Sequence, residues 1–168
     1  MTNPTIADAS ADHVESIAAI YADVVRESPA TFDIEPPGMD RWREQLDSVD
    51  PARGHHLLVA LGDDDRVLGY AKSGTFMSRA AYNSTCLVSV YVAADARGRG
   101  VGTELYARLF ELLDSSPLLL ATAGITEPNE ASTALHLAFG FERVGTFTDV
   151  GVKFDRRWSV TWYQRPLA

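Results

Sequence analysis

A chain of 168 residues, 46% hydrophobic and 23% charged, has the apolar content to bury one core and too little charge to stay disordered. Its net charge of −8 argues against a nucleic-acid backbone or an anionic membrane as the main partner. A single cysteine, Cys86, excludes an intramolecular disulfide and a cysteine-rich metal site; no apolar run nears the ~20 residues of a membrane span, and "MTNPTIADAS" has neither a basic start nor an apolar core, so a cytoplasmic location is expected.

The first periodic segment places Val14, Ile17, Ala18, Tyr21, Val24 and Val25 on one helical face, with Asp12 and Glu15 spaced as a capping pair. A loop follows, punctuated by Pro29, Pro36, Pro37 and Gly38, and then a short helix marked by Trp42 and Leu46. "HLLVALGDDDRVLGYAKSG" reads as a hairpin with Asp63 to Asp65 at its tip, and "TCLVSVYV" as a further, β-branched strand. Val101, Leu105, Leu109 and Leu112 then line a helix, "PLLLATA" a strand, and residues 129–139 a last helix stopped by Gly140. Two strands close the chain near Phe141 to Thr148 and Ser159 to Gln164. The order implies a mixed α/β (α+β) domain spanning residues 1–168, a twisted sheet flanked by helices, with crossovers at Val92 and Ala123 giving parallel neighbours at its centre.

The chemistry concentrates in "SVYVAADARGRGVGTEL", where a strand passes through alternating glycines into a helix. A helix N-terminus offers unpartnered N–H groups and partial positive charge, glycines let a phosphate approach, and Arg97 and Arg99 add fork-shaped donors suited to a diphosphate. "GRGVGT" lacks the third glycine of a dinucleotide fingerprint, and no Gly-Lys-Ser/Thr follows for a nucleotide P-loop. Arg97, Gly100 and Gly102 form Arg-x-x-Gly-x-Gly, which resembles the acetyl-CoA-binding motif of the GCN5-related N-acetyltransferase (GNAT) superfamily. "EPNEASTALHLAFGFERVG" is similar to that superfamily's second cofactor segment, with Asn129 and Ser132 at a helix start. "IAAIYADVV", "ATFDIEPP", "GYAKSG", "SVYV", "DARGRGVG", "ALHLAFGFERVG" and "VGVKF" run in the order of the phosphinothricin (methionine sulfoximine) acetyltransferase family, and the resemblance covers nearly the whole chain.

The resemblance implies the GNAT fold, with splayed central strands holding acetyl-CoA as cosubstrate, and acetyl transfer to the amine of a small amino acid or analogue by direct attack. It assigns the cofactor to Val90, Tyr91, Val92, Arg97, Gly98, Arg99, Gly100, Val101, Gly102, Thr103, Asn129 and Ser132. The backbone N–H groups of residues 90 to 92 would meet the oxyanion. His136 stands where many members carry a tyrosine credited as general acid, and Phe32, Met77, Ser78, Arg79, Leu87, Val88 and Ser89 fall on the substrate side. A homodimer is implied by analogy alone.

Where relatives read Arg-x-Thr-Val-Glu-x-Ser-Val-Tyr-Val, this chain has Asn83 at the arginine position and Leu87 at the glutamate position, so the expected base and a carboxylate binder are both missing. Water, Asp33 or Glu35 remain as bases, in that order, and Arg79 as a replacement carboxylate binder. The pattern Lys-Phe-Gly-Arg-Trp-x-Asp appears as "KFDRRWS", with Asp155 for glycine and Ser159 for aspartate. A non-catalytic acyl-CoA sensor and a peptide or protein N-acetyltransferase are the competing readings. Asp63 to Asp65 lack the spacing of a calcium loop, and His55 and His56 point to opposite sides of a strand, so no metal is expected. Cys86, one residue from Leu87, is placed on the opposite face as a core thiol; Trp42, Trp158 and Trp162 are assigned to packing.

Overall fold

The computed structural model describes residues 4–168. It opens with a strand that the periodicity did not reveal, β1 (Thr5–Asp8), followed by α1 (Val14–Glu27), α2 (Met39–Asp47), β2 (Leu57–Leu61), β3 (Val67–Thr75) and β4 (Thr85–Val92). Next come α3 (Val101–Asp114), β5 (Leu120–Glu127), α4 (Glu130–Ala138), β6 (Glu142–Lys153) and β7 (Arg156–Pro166). All seven strands join one mixed sheet in the order β1-β2-β3-β4-β5-β7-β6.

Each helix lies on the face its apolar stripe dictates. Val14, Ile17, Ile20, Tyr21 and Val25 of α1 pack with Trp42 of α2 against Leu57, Val59, Val67 and Tyr70. On the other face, Val101, Leu105, Leu109 and Leu113 of α3 cover Leu58, Ala60, Ala71, Cys86 and Val88. Burying each of these leucines is worth about 1.5–3 kcal/mol, so α3 is anchored along its length. Cys86 is 0% exposed, and burial pushes its thiol up to about 12.

Two expectations need correction. The turn before α1 is fixed not by Asp12 and Glu15 but by Ser10, whose backbone N–H donates to His13 Nδ1 at 3.0 Å. The second crossover does not place its strands side by side: β7 pairs antiparallel with both β5 and β6 and so separates them. Among the described residues only β4 and β5 are parallel neighbours, and only across Thr85–Leu87 and Leu120–Thr122. The closing strands also extend further than expected, meeting at a two-residue turn, Phe154-Asp155, with φ of 55° and 54°. Both residues are left-handed there, which a two-residue hairpin loop demands. Glycine at position 155 would adopt that conformation freely, and aspartate tolerates it better than most side chains do.

Candidate active site

Beyond Leu87 and Thr122 the central strands part. From Val88 onward β4 keeps its register with β3 but loses β5, which continues beside β7. Ala93 N–H bonds Leu68 O across β3, so strand alternation turns the backbone groups of Ser89 and Tyr91 toward β3 and those of Val88, Val90 and Val92 into the gap. The Val92 carbonyl is engaged by Arg97 Nε at 3.3 Å. Of the three residues expected to face an oxyanion, Val90 and Val92 therefore aim their N–H groups into the gap, while Tyr91 does not.

The gap opens into a cavity of about 630 Å³, within the range of small-molecule sites. At one end α3 begins, with no side chain capping it; its first internal bond runs from Glu104 N–H to Gly100 O. The N–H groups ahead of Glu104 are thus free for an anion. Gly98 and Gly100 hold φ of +73° and +80°, and a Cβ at either would meet no atom within 4 Å. These glycines are required by backbone conformation and leave open space where a phosphate approaches. Asn129 caps α4, its Oδ1 accepting from Ser132 N–H at 3.1 Å, which leaves its amide N–H₂ free.

Val88 to Val92, Arg97, Gly98, Gly100 to Thr103, Asn129, Ser132 and His136 all line this cavity. Arg99 does not, and neither do Leu87, Phe32, Met77, Ser78 and Arg79. Met77, Ser78 and Arg79 are exposed in the loop after β3. Phe32 packs its ring where a Cβ on Gly151 of β6 would stand. Residues absent from the sequence-based set complete the wall: Ser28, Pro29 and Ala30 beyond α1, and Gly124 to Thr126 on β5. The 28–31 loop is held by buried Lys153, whose Nζ donates to the carbonyls of Ser28 and Thr31 at 2.8 Å each. The hairpin tip and this wall of the cavity are thereby one unit.

His136 is 4% exposed and hydrogen-bonded at both ring nitrogens. Nδ1 lies 2.7 Å from Ser132 O, which only accepts, so the proton of the neutral ring is on Nδ1. Nε2, 2.9 Å from the Tyr106 hydroxyl, then accepts from it. Burial lowers the imidazole below its ordinary value, favouring this neutral form. In this arrangement the ring has no proton to give to a leaving thiolate, which opposes the general-acid role expected from its position. Asp33 is also engaged, its Oδ2 accepting from the Tyr21 hydroxyl at 2.7 Å and from Arg41 Nη1 at 2.8 Å. Among the described residues no group of three or more His, Cys, Asp or Glu side chains is arranged to hold a metal ion.

The splayed strand and the glycine-flanked helix N-terminus lie within residues 17–141, whose sequence matches the profile of the acetyltransferase (GNAT) family. The chain belongs to the GNAT acetyltransferase family. This acetyltransferase is 43% identical over 157 residues to the phosphinothricin N-acetyltransferase of Streptomyces coelicolor, covering 93% of this chain and 92% of the relative. It is 34% identical to an L-methionine sulfoximine/L-methionine sulfone acetyltransferase of Pseudomonas paraeruginosa, over 97% of this chain and 94% of the relative. Its fold superimposes, with a TM-score of 0.94 and 31% identity, on a GNAT phosphinothricin acetyltransferase from Sinorhizobium meliloti solved in complex with AcCoA. That match covers 99% of this chain and 90% of the other.

Proposed function

We propose that the protein transfers the acetyl group of acetyl-CoA to the amine of a small amino acid or analogue, of the kind named for its phosphinothricin and methionine sulfoximine relatives. The observation that carries this is the continuous cavity from the free N–H groups of α3 through the β4–β5 gap to the Ser28–Ala30 wall. The pyrophosphate end fits the chain's own residues: left-handed glycines with open space beside them, unpartnered helix N–H groups, and Arg97 at the rim. Acetyl-CoA supplies an activated thioester when bound. Val90 N–H supplies an oxyanion donor; Val92 N–H, about 6.6 Å further along the strand, is too far to share that oxygen and faces another part of the cofactor, and the free amide of Asn129 adds a further polar contact.

With Leu87 at the glutamate position, Asp33 tied to Arg41 and Glu35 exposed, proton removal from the acceptor amine falls to water in the open end of the cavity. His136 packs against Tyr106 and Phe141 and does not act as acid. The protein acts as a cytoplasmic homodimer. Val144, Phe147, Val150 and Val152 on edge strand β6 are all more than half exposed, an apolar surface of the type covered by a second subunit. Leu87 also supports a second reading, a non-catalytic acyl-CoA sensor. Thiol release from acetyl-CoA, measured against phosphinothricin, methionine sulfoximine, methionine sulfone, apolar amino acids, simple amines and short peptides, separates the two. Turnover with amino acids supports transfer; tight acetyl-CoA binding without turnover supports the sensor; turnover confined to peptides contradicts both.

A further inference from the structure

The face of β3 and β4 turned toward α1 and α2 carries a set of charges that cofactor binding does not use. Lys72 is the cross-strand partner of Ser89, so its side chain leaves the sheet beside Ser89, with Leu87 and Tyr91 on the diagonals. Its ammonium donates to Gln45 Oε1 of α2 at 2.9 Å and has two further protons to give. Arg41 lies on the same helix, paired with Asp33, which also takes the Tyr21 hydroxyl. Lys72, Arg41 and Lys153 all act on this one carboxylate, which leaves positive charge in excess.

Neutral donors are in excess too. The Tyr70 hydroxyl and Trp42 Nε1 belong to residues 0% and 4% exposed, and neither has a hydrogen-bond partner. Tyr70 stands two residues before Lys72 on the same face, its ring 5.3 Å from Tyr91 and 6.0 Å from Trp42. Buried polar groups are rarely left unpaired, so the cluster lacks an acceptor. Burial, with Arg41 adding to it and Asp33 opposing, lowers the Lys72 ammonium below a free lysine's value, and an incoming anion would relieve that cost.

The cluster also lies in the right place. Ser89 and Tyr91, the neighbours of Lys72 across the strand pair, line the cavity beside the Val90 N–H. In an α-amino acid a single carbon separates amine from carboxylate, so the group that binds the carboxylate has to sit beside the transfer point. Lys72 and Arg41, like Arg79, are not themselves at the cavity wall; Lys72 stands next to Ser89 across the β3–β4 pair, whereas Arg79 is exposed in the loop beyond β3.

We propose that Lys72, backed by Arg41, binds the carboxylate or equivalent oxyanion of the acceptor, taking the part that Asn83 leaves vacant. This rests on the amino-acid acetyltransferase reading above. Lys72→Met should raise KM for an α-amino acid acceptor about ten- to a hundred-fold, the loss of one charge-assisted bond, while KM for acetyl-CoA and for the acceptor's methyl ester stays unchanged. Lys72→Arg should recover part of the loss. Equal KM values in wild type and Lys72→Met, or a fall in kcat shared by acid and ester, would overturn the proposal. Calorimetric titration of phosphinothricin into the CoA-loaded protein makes the same comparison without turnover. A wild type that binds it ten-fold or more tightly than Lys72→Met but acetylates nothing would contradict the proposed function and uphold the Lys72 site. A wild type that does not bind it, or binds it no better than the variant, would overturn the site itself.

Discussion

Replacing Tyr106 by phenylalanine removes one hydroxyl and leaves His136 Nε2 as a buried acceptor with no donor. Stranding a buried group costs about 1–3 kcal/mol. For a chain of this length each kcal/mol moves Tm by roughly 2–4 °C, so Tyr106→Phe should melt roughly 2–12 °C below wild type in calorimetry. His136→Gln tests the same pair from the other side. A true general acid lost at this position lowers kcat roughly 10²–10⁴-fold; here kcat should stay near wild type once corrected for the folded fraction. The pair also sets a pH dependence. Burial lowers the folded pKa of His136 below 6.5, so the unfolded chain binds more protons between the two values. The associated stability is complete above about 6.5 and is lost as pH falls through the folded value, and His56, lowered by the same cause, adds to the slope. His136→Gln should flatten part of the acid-side loss seen in wild type. A Tyr106→Phe protein as stable as wild type, or a folded His136→Gln protein a hundred-fold slower, would refute the assignment.

Gly100→Ala places a side chain in a left-handed conformation but in open space, so it should fold with a loss of ~1–2 kcal/mol and raise KM for acetyl-CoA more than it lowers kcat. Gly69→Ala is the contrasting case: its Cβ would stand 2.7 Å from the Tyr91 carbonyl oxygen, and loss of soluble protein or of the cooperative melt is expected. Cys86, fully buried and with its thiol pushed up to about 12, should resist thiol reagents at pH 8 until the protein is denatured. If β6 forms the proposed homodimer contact, Val152→Lys on that exposed edge strand should sediment as monomer where the wild type sediments as dimer, without loss of helix content; a wild type that is itself monomeric would contradict the proposed dimer.

Local signals account for what the sequence disclosed. The β2–β3 hairpin, β4 and the Arg97-to-Gly102 turn each carry their pattern within about twenty residues. What it concealed was non-local or short. Strand β1 has four residues and no apolar alternation strong enough to register against α1. The insertion of β7 between β5 and β6 depends on pairings that no crossover rule supplies when a third strand is free to enter. Lys72 reads as an ordinary lysine in a hairpin; its partnership with Ser89 follows only from the β3–β4 register. His136 stands out by the tyrosine position it occupies in the resemblance, but its role turns on Tyr106, thirty residues away and internal to α3.

Mass-spectrometric detection of the N-acetylated product after incubating purified protein with acetyl-CoA and phosphinothricin or methionine sulfone tests the central claim most directly. The β4–β5 cavity predicts acetylated amine and free CoA in equal amounts, both abolished when the amine is blocked. Free CoA without acetylated amine, or neither despite tight acetyl-CoA binding, would contradict it.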